Sequence, residues 1–334
     1  HMAAIIISKA SGVMDSIYGK VQDPVASFLE SKAEAFQNAQ IAKKIFSQRK
    51  STHFAESYTS LTAANNFLPS VENGEYPQNG FEEGYRKTIE NFTWKSQFSF
   101  SQEMIEDAPM MDLKRQPEQM MVSYERTSES FFAQLLATAM KDKASFTLEN
   151  LTFDCTTADG ERLFSQNHKP KISGAKQCNA FTDAFSAEAL GKAATVMQNM
   201  RGDNNEILGL IPDRIIIAND AELKAEIFGV LGAQHDPTTP GGNKYNYQFG
   251  NWEVIVWPYL NQFLTAGQKP WLLQDSRYNE MADGAIWQDR VPLSVKSEID
   301  KNDANVWKGR ARWGGGFVDF RAFVGCGLQS GGTL

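Results

Sequence analysis

Cys155, His168 and Cys178 supply the thiols and imidazole from which a zinc site would be built. Such a site takes four close ligands, usually in pairs such as Cys-x-x-Cys. Here twelve and nine residues separate the three and no pair occurs, so they read as unrelated loop residues. Glu82-Glu83 and Glu106-Asp107 could be carboxylate pairs for proton transfer, but adjacent residues point apart and these read as solvated side chains. No Gly-x-x-x-x-Gly-Lys-Ser/Thr or Gly-x-Gly-x-x-Gly occurs, and Gly241-Gly242 reads as a turn rather than a phosphate cradle. There is no Gly-x-Ser-x-Gly, and four histidines leave little material for a nucleophile with its base. Lys308, Arg310 and Arg312, with Lys114-Arg115 elsewhere, could touch phosphate. Trp307 and Trp313 alternate onto the opposite face, so bases could not stack beside those charges, and the strand reads as solvated or facing a partner. No catalytic group, metal or cofactor is assigned.

The elements that carry these residues belong to a folded globular chain. Its 334 residues are 42% apolar and 22% charged, enough for one large or two ordinary domains. A net charge of -7 argues against a protein whose main task is gripping phosphates. Ala3–Ser8 (AAIIIS) is too short for a signal-peptide core and far too short to span a bilayer. The leading His1-Met2 reads as a cloning remnant. Three scattered cysteines fit reduced thiols better than a disulfide framework, so a soluble, intracellular chain is expected.

Asp23-Pro24 starts a helix that the spacing of Val25, Phe28, Leu29, Ala33, Phe36, Ile41 and Ile45 carries to about Arg49. Residues 1–50 hold seven bases against four acids, a balance of +3. Ser51–Leu68 is polar and aperiodic and reads as an extended arm. Turn signals at Glu72–Gly74 and Gln78–Gly80 then lead into alternation over Thr88–Phe100, expected as a strand. Residues 51–112 hold ten acids against three bases, -7. A long hairpin this acidic has few local partners for its aromatic residues, and another chain is expected to supply the surface. From Pro117 to Lys143, Met120, Tyr124, Phe131, Leu135 and Ala139 form one line, and Met121, Ser128, Phe132, Leu136 and Met140 its neighbour. That broad stripe predicts a helix of roughly 40 Å at 1.5 Å per residue, a strut rather than a routine helix.

Leu151–Asp183 is loop-rich. An α/β unit follows: Ser186 caps a helix to about Met200, Arg214–Ala218 is a buried strand, and Asn219 or Asp220 caps a helix to about Leu231. Glu253–Trp257, Pro270–Gln274 and Ala285–Val295 read as further strands, and Gln234–Tyr247 as an exposed loop. The chain closes with VWKGRARWGGGFVDFRAFVG, Val306–Gly325. This reads as a hairpin with Gly314–Gly316 at its turn. Trp307, Gly309, Ala311 and Trp313 line its core face, with Val306, Lys308, Arg310 and Arg312 opposite. In the second strand Phe317, Asp319, Arg321 and Phe323 are expected opposite Val318, Phe320, Ala322 and Val324, so the charged pair would meet water or a neighbour.

Taken in order, these parts resemble the major capsid proteins of tailed bacteriophages. SQEMIEDAP at Ser101–Pro109 precedes the long helix as a comparable serine-plus-acid phrase often does in that family. ERLFSQNHKP at Glu161–Pro170 is similar to a phrase of Mu-type head subunits. LIPDRIIIAND at Leu210–Asp220 and the closing ribbon are similar to the family's axial and peripheral domains. The resemblance covers Phe67 to Gly325 and implies an α+β, Hong Kong 97-like fold. Its parts would be a helix and arm (1–66), an extended hairpin (67–100) and a peripheral domain (101–185) with a spine helix at about 115–143. An axial domain (186–264) and a return to the peripheral domain (265–334) would follow.

What the resemblance implies is a structural protein, not an enzyme, assembling through pentamers and hexamers into an icosahedral phage or prophage shell around double-stranded DNA. Scaffolding protein, head protease and portal are the further partners it implies, with no membrane, in the host bacterial cytoplasm and then the virion. Candidates for contacts between copies are Glu72, Glu75, Tyr76, Phe81, Glu82, Glu83, Tyr85, Arg86 and Lys87 of the hairpin and Lys308, Arg310 and Arg312 of the ribbon. Some relatives cross-link lysine to asparagine; Lys87, Lys95, Asn302 and Asn305 are the residue types available, and nothing in the sequence places them together. An encapsulin-like compartment shell shares the architecture and is the alternative. An α/β enzyme built on Ser186–Trp257 and a nucleic-acid-binding module are the readings from other classes.

Overall fold

The computed structural model describes residues 6–8, 40–60, 83–107, 110–232, 245–301 and 304–334. The first half runs β1 (Ile6–Ser8), α1 (Ala42–Ile45), β2 (Ser47–Lys50), β3 (Ala55–Thr59), β4 (Arg86–Glu90), β5 (Phe92–Phe100), α2 (Gln102–Asp107) and α3 (Met110–Met140). Then come β6 (Ser145–Leu148), β7 (Leu151–Asp154), α4 (Ala187–Gln198), β8 (Arg214–Ile217), α5 (Ala221–Leu231) and β9 (Glu253–Val256). The last part holds β10 (Trp271–Gln274), α6 (Ser276–Ala282), β11 (Ala285–Ile299), β12 (Asn305–Phe317) and β13 (Phe323–Cys326).

Two sheets organise the body. One has the order β1-β11-β12-β5, with β2 also on the β11 edge. The expected stripe of α3 packs on it: Met120, Phe131, Phe132, Leu135, Leu136, Ala139 and Met140 are all buried. Phe132 stacks on Trp287 at 4.2 Å and Trp94 on Trp313 at 4.3 Å, while Phe131 meets the Trp313 ring edge-on at 5.2 Å. Offset and edge-on aromatic contacts of this kind add about 0.5–1.5 kcal/mol each beyond the area they bury. At 31 residues α3 is about 46 Å long. It begins at Met110, so Pro117 lies inside it.

The other sheet has the order β13-β10-β8-β9, parallel only between β8 and β9. It draws strands from both sides of the 264/265 boundary. Its helices start where side chains take up free backbone donors. Ser186 Oγ accepts from Ala189 N at 3.0 Å ahead of α4, and Asp220 Oδ1 accepts from Leu223 N at 2.8 Å ahead of α5.

Three expectations change. The helix drawn to Arg49 ends at Ile45, because Phe46 turns extended to bury its ring beside Phe132 and Phe317; Ser47–Lys50 then pairs with Ile286–Asp289 as β2. The part of that helix over residues 23–39 lies outside the described residues, as do the turn signals of the acidic hairpin and the loop over 234–244. The Thr88–Phe100 strand is two strands: β4 pairs with β3 and β5 with β12. Between them the buried Asn91 donates to Ser51 Oγ at 2.8 Å and His53 O at 3.0 Å and accepts from Gln288 Nε2 at 2.9 Å.

The closing ribbon is also rebuilt. Gly314–Gly316 make no turn; they continue β12, paired with Gln288, Trp287 and Ile286 of β11. The long ribbon is therefore β11 with β12, and β13 belongs to the other sheet beside β10. The glycines serve close packing instead. A Cβ on Gly314 would stand 2.2 Å from Glu90 O, and one on Gly315 would stand 2.2 Å from the Phe132 ring. Asp319 and Arg321 follow on a short 3₁₀ turn and are buried rather than facing water.

Gly314→Ala thus presses a methyl group against fixed backbone, and a cost of about 1–3 kcal/mol is expected in a urea or guanidinium titration. A turn glycine of ordinary φ would tolerate alanine, so an unchanged midpoint would contradict the strand packing.

Candidate assembly surface

Alternation along β12 sends its aromatic side chains to α3 and its charges outward. Trp307, Ala311 and Trp313 are buried, Lys308 and Arg310 exposed, Arg312 half-buried. The register sets Lys308 between Gln97 of β5 and Lys296 of β11, and Arg310 between Lys95 and Ser294. Together these residues line a groove of about 510 Å³ holding four bases and one acid, Glu298, which pairs with Lys308. Of the ribbon's three candidate contact residues, Lys308 and Arg310 line this groove, and Arg312 follows on the same face of β12, half-buried and outside it.

The hairpin's base is held to the body. Tyr85 Oη donates to Lys169 O at 3.1 Å, and Lys171 Nζ donates to Gly84 O at 2.7 Å. Glu83 pairs with Arg86 at 2.6 Å, both exposed. Lys87 is turned into its own chain, its side chain 11% exposed, pairing with Asp154 and donating to Thr156 Oγ1 at 2.9 Å. Glu72, Glu75, Tyr76, Phe81 and Glu82 lie outside the described residues. Of the residue types suited to cross-linking, Lys95 is exposed in the groove and Asn305 is buried, 5% exposed.

Beneath the hairpin base sits a buried ionic cluster that the sequence did not disclose. Arg321 pairs with Asp203 at 2.9 Å and Asp319 at 3.2 Å, and its Nε donates to Arg201 O at 2.7 Å. Its guanidinium lies 4.7 Å from the Phe320 ring centre. Tyr278 Oη donates to Asp319 Oδ2 at 2.7 Å and Ser60 Oγ to Asp203 Oδ2 at 3.1 Å. Burial opposes the Arg321 charge, but Asp319, Tyr278 and Asp203 outweigh it and hold its pKa above the usual range. Burial, then Asp319, pushes the Tyr278 hydroxyl well up. Local alternation in the last ribbon pointed this arginine to solvent; apart from Asp319, its partners sit far away in sequence.

A second anchor fixes residues 40–45. Glu129 of α3 accepts from Ala42 N at 3.0 Å and from Trp257 Nε1 at 2.7 Å. Gln40 Nε2 donates to Ser128 Oγ at 2.9 Å, and Ile45 O accepts from Gln274 and Asn279. Glu129 is buried, and burial raises its pKa more than these hydrogen bonds lower it.

The residues first considered for chemistry are structural. His168 is fully buried, stacked on Phe320 at 3.7 Å, with Nδ1 2.6 Å from Asp159 Oδ2 and Nε2 3.2 Å from Leu163 O. Burial pushes the Cys155 and Cys326 thiols far up. Among the described residues no group of three or more His, Cys, Asp or Glu is placed to hold a metal ion. No helix among them is long and apolar enough to cross a membrane.

Comparison with known proteins gives this geometry its context. The family model described as phage capsid protein matches residues 87–325. No curated protein matches. Among solved structures, a chain of Mycobacterium phage Patience superposes with a TM-score of 0.51 at 10% identity, covering 100% of this chain and 95% of that one. A chain from Microbacterium phage Oxtober96 gives 0.49 at 11% identity, with 86% and 90% covered. One from the capsid of an empty GTA particle gives 0.45 at 10% identity, with 98% and 94% covered.

Two measurements probe the anchors. Arg321→Met leaves Asp203 and Asp319 without their buried counter-charge, and a loss of about 3–5 kcal/mol is expected by chemical denaturation. For Glu129, a folded pKa above the unfolded one means that the folded state holds the proton more tightly. The associated stability is full below the unfolded value and fades as pH rises through the folded one. Melting curves from acid to neutral pH should therefore show Glu129→Gln losing less Tm with rising pH than the parent chain; parallel profiles would refute this.

Proposed function

This chain belongs to the phage capsid protein family, as a structural major capsid protein of a bacteriophage and not an enzyme, and from that premise we propose that identical copies close into an icosahedral shell around double-stranded DNA. The observation that carries the reading is the family match across residues 87–325, most of the chain. In the Hong Kong 97-like reading, α3, Met110–Met140, is the spine helix expected at about 115–143, and the β11–β12 ribbon belongs with it in the peripheral domain, 101–185 and 265–334. Residues 186–264 form the axial domain, 67–100 the extended hairpin and 1–66 the arm. Pentamers and hexamers of this chain are its main partners. Scaffolding protein, head protease and portal act with it in the bacterial cytoplasm, before it becomes part of the virion.

Mechanically, shell formation is distributed self-association. Many interfaces of modest size add, and closure of the shell multiplies their effect. The contacts use hairpin residues from Glu72 to Arg86, of which Glu83 and Arg86 are exposed, and the ribbon's Lys308, Arg310 and Arg312. An acidic chain, -7 overall, suits a container from which DNA must later slide free. The encapsulin-like compartment is not favoured, since the matched family is that of phage capsids.

Purified protein should appear as shells, rings or capsomers by electron microscopy and light scattering; a strict monomer at high concentration and varied salt would overturn the reading. Replacing residues 61–82 by a short Gly-Ser link, which spares the buried Ile89 and the β3–β4 pair, should leave the melting curve nearly unchanged and abolish those particles.

A further inference from the structure

The outer face of the ribbon gathers positive charge within an otherwise acidic chain. Lys308 stands directly opposite Lys296, and Arg310 directly opposite Lys95. Like charges facing each other across a sheet are destabilising. Among the described residues that line the groove, these four bases meet one acid, Glu298, a balance of +3 in a chain of -7 overall. Lys308 and Arg310 lie about 6.6 Å apart along β12 at 3.3 Å per residue, and Lys95 and Lys296 stand on strands about 4.8 Å to either side. The four cations therefore start from a patch about 10 Å across. Next along the same face, the buried Nε of Arg312 has no hydrogen-bond partner among the described residues.

We propose that this groove binds a compact inorganic polyphosphate, a short chain of linked phosphates. Such a chain carries several negative charges within the width of the patch. Arg310 can grip it with two parallel hydrogen bonds while the lysines act as point charges. None of the nine residues lining the groove is aliphatic or aromatic, so nothing there would hold a nucleoside base or the apolar side chains of a peptide. Its volume, about 510 Å³, is that of a small-molecule site. Size also separates the ligand from duplex DNA. Salt screens charges beyond about 10 Å, so a ligand no larger than the groove feels the local +3, whereas a long polyanion lies over the acidic remainder. Such a site belongs to the single chain and does not rest on shell formation. Lys308 and Arg310 are also candidate contacts between copies, so bound polyphosphate and a neighbouring copy would compete for them.

Thermal melting and titration calorimetry of the full chain, kept dilute, test this with sodium tripolyphosphate as the probe. A ligand that binds only the folded state raises the melting temperature as its concentration passes Kd. Tripolyphosphate should do so while binding one per chain, and sodium chloride at the same ionic strength should give a much smaller shift. Lys308→Gln/Arg310→Gln should weaken binding by about tenfold or more, since each cation lost removes a charge-assisted hydrogen bond. Glu298→Gln takes away the one opposing charge and should tighten binding about threefold, a gain that misfolding cannot imitate. Equal shifts with chloride would assign the effect to screening, and unchanged affinity in the Lys308/Arg310 variant would place the site elsewhere; either result overturns the proposal. A short DNA duplex or a poly-glutamate peptide that binds more tightly than tripolyphosphate, and is lost in the same variant, would assign the face to a macromolecule and overturn it as well.

Discussion

A guanidinium taken out of water must bring its counter-charges with it, and the placing of Arg321 constrains much of this molecule. Stripping water from such a group costs several kcal/mol even after relaxation. The offset comes from carboxylates on different parts of the chain, Asp203 after α4 and Asp319 ahead of β13, with Tyr278 of α6 holding Asp319. Asp203 in turn holds Ser60 at the end of β3, and its carbonyl accepts from Ile172 and Ser173. The charge is satisfied only when the β13-β10-β8-β9 sheet, the 168–173 loop and the base of the acidic hairpin are all in place. Buried ionic clusters add little net stability against an apolar alternative. Here the cluster specifies where the hairpin leaves the body.

The other sheet solves a different problem, since one face must be dry and the other charged. On the dry side Trp94, Trp313, Phe132 and Trp287 form overlapping stacks under α3, and each buried aromatic contributes about 1.5–3 kcal/mol. On the wet side the opposed cations cost at most about 1 kcal/mol per pair. The aromatic term wins by a wide margin, so the sheet keeps its register with the charges aligned. The glycines of β12 belong to the same economy of space. Without side chains at 314 and 315, the strand lies against Glu90 and the Phe132 ring.

How much of this was legible follows from the range of each interaction. The caps at Ser186 and Asp220 were readable because a cap joins a side chain to an N–H three residues on. The α3 stripe and the alternation of Trp307 to Trp313 were readable because one residue's neighbours on a face recur at fixed spacing. Gly314–Gly316 were misread because glycine signals both a turn and a close crossing, and only Glu90 and Phe132, remote in sequence, decide between them. Arg321 and Asp203 are 118 residues apart, so of its two counter-charges only Asp319 lay in local view, too little to announce its burial. Likewise β2 exists because β11 offers an edge some 240 residues later; locally Ile41 and Ile45 suggested more helix. The candidate surface was half legible: Lys308, Arg310 and Arg312 stood out by alternation, but Lys95 and Lys296 joined them only through register.

These two solutions bear on how a shell of such chains would close. Small errors in the angle between neighbours accumulate around a ring, so the body that sets the angle must be stiff. The aromatic stacks and the Arg321 cluster supply stiffness through contacts that single-side-chain motions cannot relax. The contacts between copies have the opposite requirement, because a misplaced subunit must be able to leave before the shell closes. Exposed charge pairs meet it, since each is worth about 1 kcal/mol or less and salt screens it within about 10 Å. Strength confined to the interior and weakness kept at the surface would let an assembly of identical acidic chains correct itself while it grew and hold once it had closed.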